Sequence, residues 1–126
     1  MQSTTRDRIL WALTAVFAVF AFLKATPAMA SLKAVVPAVS ILVPTVFALL
    51  HGTRRLGGRT MGVFFAITFV VSWCYESLSI ATGFPFGHYH YTANLGAKLG
   101  LVPLLIMSAY FAVCYLSWNR GHVVLD

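Results

Sequence analysis

Acidic residues are almost absent from this chain. Only three of its 126 residues are Asp or Glu, against nine Lys or Arg, which gives a formal net charge of +6. Charged residues make up 10% of the sequence and hydrophobic residues 60%, and the mean hydropathy is +0.83. Soluble globular domains carry about 25% charged residues, so the composition excludes an ordinary soluble domain and indicates an integral membrane protein.

Cysteine is also scarce. The two cysteines, Cys74 and Cys114, both lie inside apolar stretches, where a cysteine usually behaves as a small buried hydrophobe. We therefore expect neither a disulfide framework nor a cysteine nucleophile. The nine basic residues are scattered along the chain, which argues against nucleic-acid binding. The sequence has no phosphate-binding loop, nucleotide motif or nucleophile triad.

Four apolar stretches approach the length of about 20 residues that a membrane-spanning helix needs. They are Ile9–Leu23, Val35–Leu50, Met61–Thr82 and Leu101–Trp118. None of them shows the alternation typical of outer-membrane barrel strands. The sequence therefore predicts an all-α, polytopic transmembrane bundle of about four spans, forming one integral membrane domain over residues 1–126. A short basic loop at residues 51–60 would make spans two and three antiparallel neighbours, and a structured loop would join spans three and four.

The distribution of basic residues predicts the orientation of the spans. Six would lie on one side of the membrane: Arg6, Arg8, Arg54, Arg55, Arg59 and Arg120. Three would lie on the other: Lys24, Lys33 and Lys98. The positive-inside rule then predicts a multi-pass protein of the cell membrane, with both termini in the cytoplasm and residues 83–99 on the outer face. Alternatively, the first stretch is a signal peptide cleaved near Ala28-Met29-Ala30.

Glu76 is the acidic residue that lies away from the chain ends, where Asp7 and Asp126 are found. It belongs to a helical stripe of polar or small residues near the end of the third span: Thr68, Ser72, Glu76, Ser79 and Gly83. Spacings of three and four predict that the stripe faces the bundle interior. An ionisable side chain in a span costs roughly 2.5–3.5 kcal/mol, so Glu76 indicates a functional site. The alternative is that Glu76 only ties helices together.

Residues 83–100 form the longest connection, and connections of this length are usually functional or disordered. Aromatic residues argue against disorder. The loop begins with Gly-Phe-Pro-Phe-Gly, in which Gly83 and Gly87 permit positive φ angles, so we expect a specific tight turn. If the following segment, residues 88–91, is extended, its two histidines share one side and its two tyrosines the other.

The loop histidines also suggest a metal site, because His88 and His90 with Glu76 would form the two-imidazole, one-carboxylate set of non-haem iron. Four histidines are few for a membrane di-iron enzyme, however. His51 and His122 are predicted to lie on the opposite side of the membrane. We therefore expect interfacial or hydrogen-bonded histidines and no metal.

Ordered segments between residues 70 and 117 resemble a known family. The matching residues are Glu76-Ser77-Leu78, Thr82-Gly83-Phe84-Pro85-Phe86-Gly87, Tyr89-His90-Tyr91-Thr92, Leu95-Gly96, Lys98-Leu99 and Val102-Pro103-Leu104-Leu105-Ile106. With them the chain resembles the integral membrane carotenoid-biosynthesis proteins, which include carotenoid hydratases of archaea and bacteria. It departs from the family's usual Gly, Pro, Pro and Trp at Ser79, Ala97, Met107 and Tyr110. The family's proteins are typically about twice as long, so the chain looks like an N-terminal half or a short relative.

The resemblance implies a carotenoid hydratase, a hydro-lyase that adds water to the terminal trisubstituted double bond of an acyclic carotenoid without a cofactor. The candidate catalytic residues are Glu76, which would donate the proton, and Tyr89, His90 and Tyr91, which would hold the water. The candidate substrate-binding residues are Trp73, Tyr75, Gly83, Phe84, Phe86 and Gly87. Expected partners are the carotenoid, water and membrane lipids, with homo-oligomers or other carotenoid-biosynthesis enzymes as open alternatives. The alternative function is a non-catalytic carotenoid-binding or scaffold protein.

Overall fold

The computed structural model describes residues 5–23 and 35–125, which are all-helical apart from one loop region. Four helices occur in these ranges: α1 (Thr5–Leu23), α2 (Val35–Leu56), α3 (Gly58–Thr82) and α4 (Leu104–Leu125). The predicted all-α class is confirmed. By length and composition, α2 and α3 are able to cross a membrane. Four spans remain a prediction, because α2 and α3 are the two described helices that meet this criterion.

Neighbouring helices alternate in direction. Arg54, near the end of α2, donates hydrogen bonds to the carboxylate of Asp7 at the start of α1. Arg55 donates to Asn119, near the end of α4. The start of α1 and the ends of α2 and α4 therefore meet at one end of the bundle, which we call the arginine end. The opposite end, called the loop end, carries the end of α3 and residues 83–103.

The core lies where α2, α3 and α4 meet. Its side chains are at most 1% exposed: Ala48, Met61, Phe111 and Tyr115. The ring of Phe65 packs edge-on against Phe111, with 4.9 Å between their centroids. One polar contact crosses this core, because the Tyr115 hydroxyl is hydrogen-bonded to Nδ1 of His51 at 2.7 Å. A second polar contact joins α2 to α4 nearby, because the Thr45 hydroxyl donates to the Ser108 carbonyl at 3.2 Å. Aromatic packing therefore holds the three helices together, with satisfied polar contacts between α2 and α4.

The predicted loop at residues 51–60 is wrong. Helix α2 continues through Leu56, and Gly57 alone separates it from α3. Gly57 has a φ angle of +85°, which glycine adopts without steric cost. Its N–H donates to the Thr53 carbonyl at 3.1 Å, and its own carbonyl accepts from Met61 at 3.1 Å. The arginines and glycines that suggest a loop are accommodated at a helix end, and α2 and α3 are antiparallel neighbours as predicted.

The predicted start of the fourth span, Leu101, is also wrong. Two short strands, β1 (Lys98–Leu99) and β2 (Val102–Pro103), pair antiparallel before α4 begins at Leu104. Gly100, with a φ angle of +64°, allows the tight turn between them. The residues of β2 are as apolar as those of α4, so hydropathy alone does not distinguish the strand from the helix that follows it.

The cysteines occupy positions different from those expected. Cys74 and Cys114 are free, as predicted, but both are exposed on the outer surface of their helices. The bundle leaves wide apolar surfaces uncovered, including Val70 at 57% and Val113 at 61% exposure. An apolar residue in such a bundle therefore need not be buried within the protein. The first connection and the candidate cleavage site Ala28-Met29-Ala30 lie outside the described residues.

We expect Phe111→Ala to destabilise the bundle strongly. Phe111 is fully buried and packs against Phe64 and Phe65, and removing such a ring costs about 3–5 kcal/mol. The midpoint of thermal unfolding in detergent should fall well below that of the wild type. Phe22→Ala is the matched control, because Phe22 is 77% exposed. Equal losses from both variants would contradict this assignment of the core.

Candidate active site

Glu76 is the centre of the candidate site. Its side chain is 3% exposed, and three tyrosine hydroxyls donate hydrogen bonds to it. Tyr89 and Tyr91 donate to Oε2, the latter at 2.8 Å, and Tyr110 donates to Oε1 at 2.5 Å. We call Glu76, Tyr89, Tyr91 and Tyr110 the carboxylate–tyrosine cluster. The cluster joins the end of α3, the loop and the first half of α4.

The position of Glu76 follows from the polar stripe on α3. Ser72, Glu76 and Ser79, at spacings of four and three, are all buried. Thr68 and Gly83, at the ends of the stripe, are partly buried. The predicted inward orientation of this stripe is confirmed at its centre. The carboxylate therefore points into the protein near the loop end of the bundle, where tyrosines from outside α3 reach it.

A glycine turn directs the loop back over α3. Gly83 ends the helix in the left-handed conformation, with φ of 80°, and its N–H donates to the Ser79 carbonyl at 2.8 Å. A Cβ atom at Gly83 would lie 2.6 Å from Nε2 of His88, so a side chain at this position would require the His88 ring to move. Gly87 also has a positive φ angle, as predicted. Ser79 holds the turn, because its Oγ accepts a hydrogen bond from the backbone N–H of Phe86 at 3.2 Å.

The segment after the turn presents both tyrosines to Glu76. Tyr89 and Tyr91 point to the same side, and their rings pack edge-to-face with 5.5 Å between centroids. The Lys98 ammonium donates to the Tyr91 carbonyl at 2.7 Å. Trp73 Nε1 donates to the Leu99 carbonyl at 2.9 Å and so ties the hairpin to α3. The alternation predicted for residues 88–91 therefore places the tyrosines together.

The electrostatics of the cluster rest on hydroxyl donors. Burial, followed by the hydrogen bond to Glu76 and the charge of Glu76, raises the pKa of Tyr89 and of Tyr91 above the ordinary tyrosine value. Both phenols therefore keep their protons near neutral pH. Within the described part of the chain Glu76 makes no ion pair. An ionised carboxylate only accepts hydrogen bonds, so three O–H donors stabilise its charge without a cation.

Two grooves flank Tyr110. The first, of about 310 Å³, has Glu76 in its wall and is mostly apolar; we call it the Glu76 groove. Its lining residues are Glu76, Tyr91, Ile106, Ala109, Tyr110 and Val113. The second, of about 220 Å³, lies on the other side of Tyr110 and is lined partly by Tyr75 and Phe86. An apolar molecule in the first groove would approach the carboxyl group directly.

The structure separates the sequence-predicted site residues into groups. Glu76, Tyr89 and Tyr91 are brought together, whereas His90 is exposed and lies outside the cluster. The remaining candidates divide by position: Tyr75 and Phe86 line the second groove, Trp73 ties the hairpin to α3, Phe84 is 69% exposed, and Gly83 and Gly87 shape the turn.

Sequence reasoning missed Tyr110 as a site residue. It lies in the apolar fourth stretch, 34 residues after Glu76. The available signal was a hydroxyl-bearing ring inside an otherwise apolar helix, since a buried tyrosine hydroxyl usually finds a polar partner. Which partner it finds depends on how α3 packs against α4. Among the described residues, no group of three or more His, Cys, Asp or Glu side chains is placed to hold a metal ion.

The fold and site define a class: an all-helical protein of membrane type, with a buried acid beside an apolar groove. The sequence family described as carotenoid biosynthesis protein matches residues 36–125, and the chain belongs to that family. The match includes all four residues of the carboxylate–tyrosine cluster. No curated protein and no solved structure matches the chain significantly.

We expect Gly83→Ala to displace the loop from Glu76. A side chain at a positive φ angle costs roughly 1–2 kcal/mol, and the new methyl group would also clash with His88. Hydrogen exchange, read by mass spectrometry, should be faster across residues 83–92 in the variant. Gly62→Ala is the control, because a Cβ atom there meets nothing within 4 Å. Unchanged exchange in Gly83→Ala would contradict the role given to the turn.

We expect Glu76→Gln to lower the pKa of Tyr89 and Tyr91. The neighbouring negative charge raises both values, so its removal makes the phenolate forms less unfavourable. Burial remains and should keep Tyr91 above the ordinary value. Alkaline titration followed by ultraviolet absorbance, compared with Tyr89→Phe/Tyr91→Phe protein, identifies the two signals. Titration curves of these tyrosines that coincide in wild type and Glu76→Gln would contradict the contact.

Proposed function

We propose that this carotenoid-biosynthesis family member is a membrane-embedded hydratase acting on an acyclic carotenoid. The observation that carries the proposal is the buried carboxyl group of Glu76 at the edge of an apolar groove. We also propose that the chain forms one domain that crosses the cell membrane several times. The arginine end, which carries the start of α1 and the end of α4, would face the cytoplasm. The cluster would then lie near the outer face.

The end of the polyene would bind in the Glu76 groove. On α4, Ile106, Ala109 and Val113 follow one another at spacings of three and four and line the groove, so they form one helical stripe. A carotenoid has no charged group for a protein to recognise, and apolar contact is the available source of affinity. The groove is shorter than a carotenoid, so the rest of the chain would extend into the surrounding lipid.

Glu76, in its protonated form, would donate the proton. Its O–H bond breaks as the proton bonds to the less substituted alkene carbon, and the π electron pair of the alkene forms the new C–H bond. The other alkene carbon becomes a tertiary cation beside the newly formed carboxylate. The hydroxyls of Tyr89, Tyr91 and Tyr110 are already directed at the carboxylate oxygens. They would stabilise the charge that develops there, as preorganised donors do in other active sites.

Water would complete the reaction. Its oxygen donates an electron pair to the tertiary cation, and the proton it loses returns to Glu76, either directly or through a tyrosine hydroxyl. The balance is one alkene plus one water giving one tertiary alcohol. Tyr89, which is partly exposed in the loop, would hold the water. Tyr91 and Tyr110, which line the groove, would present ring faces to the cation, each worth about 0.5–2 kcal/mol.

One observation favours a second candidate, a non-catalytic carotenoid-binding or scaffold protein. Both oxygens of Glu76 accept hydrogen bonds from tyrosines of the loop and of α4. Such a network also serves to hold the loop against the bundle. In that case the groove would bind the pigment for a partner, either a second copy of the chain or another carotenoid-biosynthesis enzyme.

The decisive test is expression of the chain in cells that accumulate an acyclic carotenoid. Mass spectrometry of the pigments should show the gain of one water with the wild type. Glu76→Gln should reduce that product by roughly 10²–10⁴-fold, the usual contribution of a positioned acid, and Tyr110→Phe should reduce it less. Pigment binding should persist in both variants.

Tyr115→Phe is the matched control, since its hydroxyl is bonded to His51 and not to Glu76. Its product yield per folded molecule should equal that of the wild type. Hydrated pigment from Glu76→Gln at wild-type yield would contradict the role of Glu76 as acid. Bound but unchanged pigment with the wild type would favour the binding function.

A further inference from the structure

We propose that the groove between α1 and α2 binds an anionic membrane phospholipid, with its phosphate at the arginine end and one acyl chain along the helices. This site lies apart from the carboxylate–tyrosine cluster and does not depend on the proposed hydration. Three adjoining cavities carry the inference, together with the charges at their mouth. We call their union the α1–α2 groove.

The three cavities adjoin one another, because they share lining residues. The largest, of about 370 Å³, has Asp7, Leu10, Thr14, Phe47 and His51 among its walls. A cavity of about 220 Å³ shares Asp7, Leu10 and His51 with it. A third, of about 240 Å³, shares Thr14 and Phe47 with the largest. Together the three cavities follow both helices from the arginine end towards the middle of the bundle.

The mouth of the groove is polar and carries net positive charge. Arg54 and Arg55 line it together with one acidic residue, Asp7. Arg54 is bonded to Asp7, and Arg55 donates to the neutral amide oxygen of Asn119. A guanidinium has five N–H donors, so these contacts leave donors on each arginine for a phosphate. Trp11, in the wall of the largest cavity, is 75% exposed, which suits a ring at the membrane interface.

The far part of the groove is apolar. Its walls are Leu13, Thr14, Phe17, Val43, Pro44, Phe47 and Leu116. Thr14 does not make this part polar, because its hydroxyl donates to the Leu10 carbonyl within α1 at 2.9 Å. A hydrocarbon chain would therefore find only apolar surface beyond the mouth.

The length of the groove matches one leaflet of a bilayer. From Arg54 to Val43 is about 16 Å along α2, at about 1.5 Å per residue. Half of a hydrocarbon core of roughly 30 Å is about 15 Å. A positively charged mouth, an apolar far part and a total length close to one leaflet together fit a phospholipid, whose phosphate lies at the interface and whose chain extends towards the midplane. An anionic headgroup is preferred, because the arginines outnumber the aspartate.

The test is native mass spectrometry of the full chain in detergent, with phosphatidylglycerol and phosphatidylcholine added in parallel. Phosphatidylglycerol should bind more tightly. Arg55→Gln should weaken its binding roughly five-fold, the effect of one basic residue near a membrane surface, and Arg54→Gln/Arg55→Gln should weaken it further. Arg59→Gln, at the same end on α3 and outside the groove, is the charge-matched control. Leu13→Trp, which fills the apolar part without changing any charge, should also reduce binding.

Thermal unfolding of each variant shows whether it is folded. If the double arginine variant does not fold, Leu13→Trp still tests the proposal. Geranylgeranyl diphosphate, which combines a phosphate head with an isoprenoid tail, is the competing probe. Binding of this diphosphate without binding of phosphatidylglycerol would overturn the proposal. Equal binding of the two phospholipids would do so as well, as would equal losses from Arg55→Gln and Arg59→Gln.

Discussion

The burial of one carboxyl group is the constraint on which the arrangement of the loop end depends. A carboxylate removed from water is costly unless every part of its charge is hydrogen-bonded. Within the described residues no cation reaches Glu76, and three phenols from two other segments supply the donors. Satisfying that one group requires the chain to turn back at Gly83, so that Tyr89 and Tyr91 return to α3, and requires α4 to pack with Tyr110 facing inward.

The two ends of the bundle accommodate their polar groups in different ways. At the arginine end, charged side chains pair near the surface, as Arg54 does with Asp7. There, water screens the charges, and each exposed pair is worth at most about 1 kcal/mol. At the loop end the carboxyl group of Glu76 is buried, and three neutral hydroxyl donors surround it. Such a network is energetically sensitive, since each missing donor leaves part of a buried charge unsatisfied.

The geometry of the loop end is consistent with the carotenoid chemistry that we propose. A carotenoid offers almost no polar group, so a protein that acts on it needs an apolar surface and a reactive group at one defined point. The Glu76 groove has both, because its walls are mostly apolar and Glu76 lines it. The wide apolar surface of the bundle is consistent with entry of such a molecule from lipid instead of water.

The sequence by itself determined the helical class, the inward stripe on α3, the glycine turn and the pairing of Tyr89 with Tyr91 on one side. Each follows from local geometry: helical spacing, positive φ angles, and the alternation of an extended chain. Tertiary structure alone decided that Tyr110 joins Glu76, that His90 stays outside, and that Trp73 ties down a hairpin. It also decided that one residue, Gly57, separates α2 from α3, where the sequence predicts a loop at residues 51–60. These outcomes depend on the packing of α3 against α2 and α4, and contacts between residues far apart in sequence leave no periodic signal in the chain.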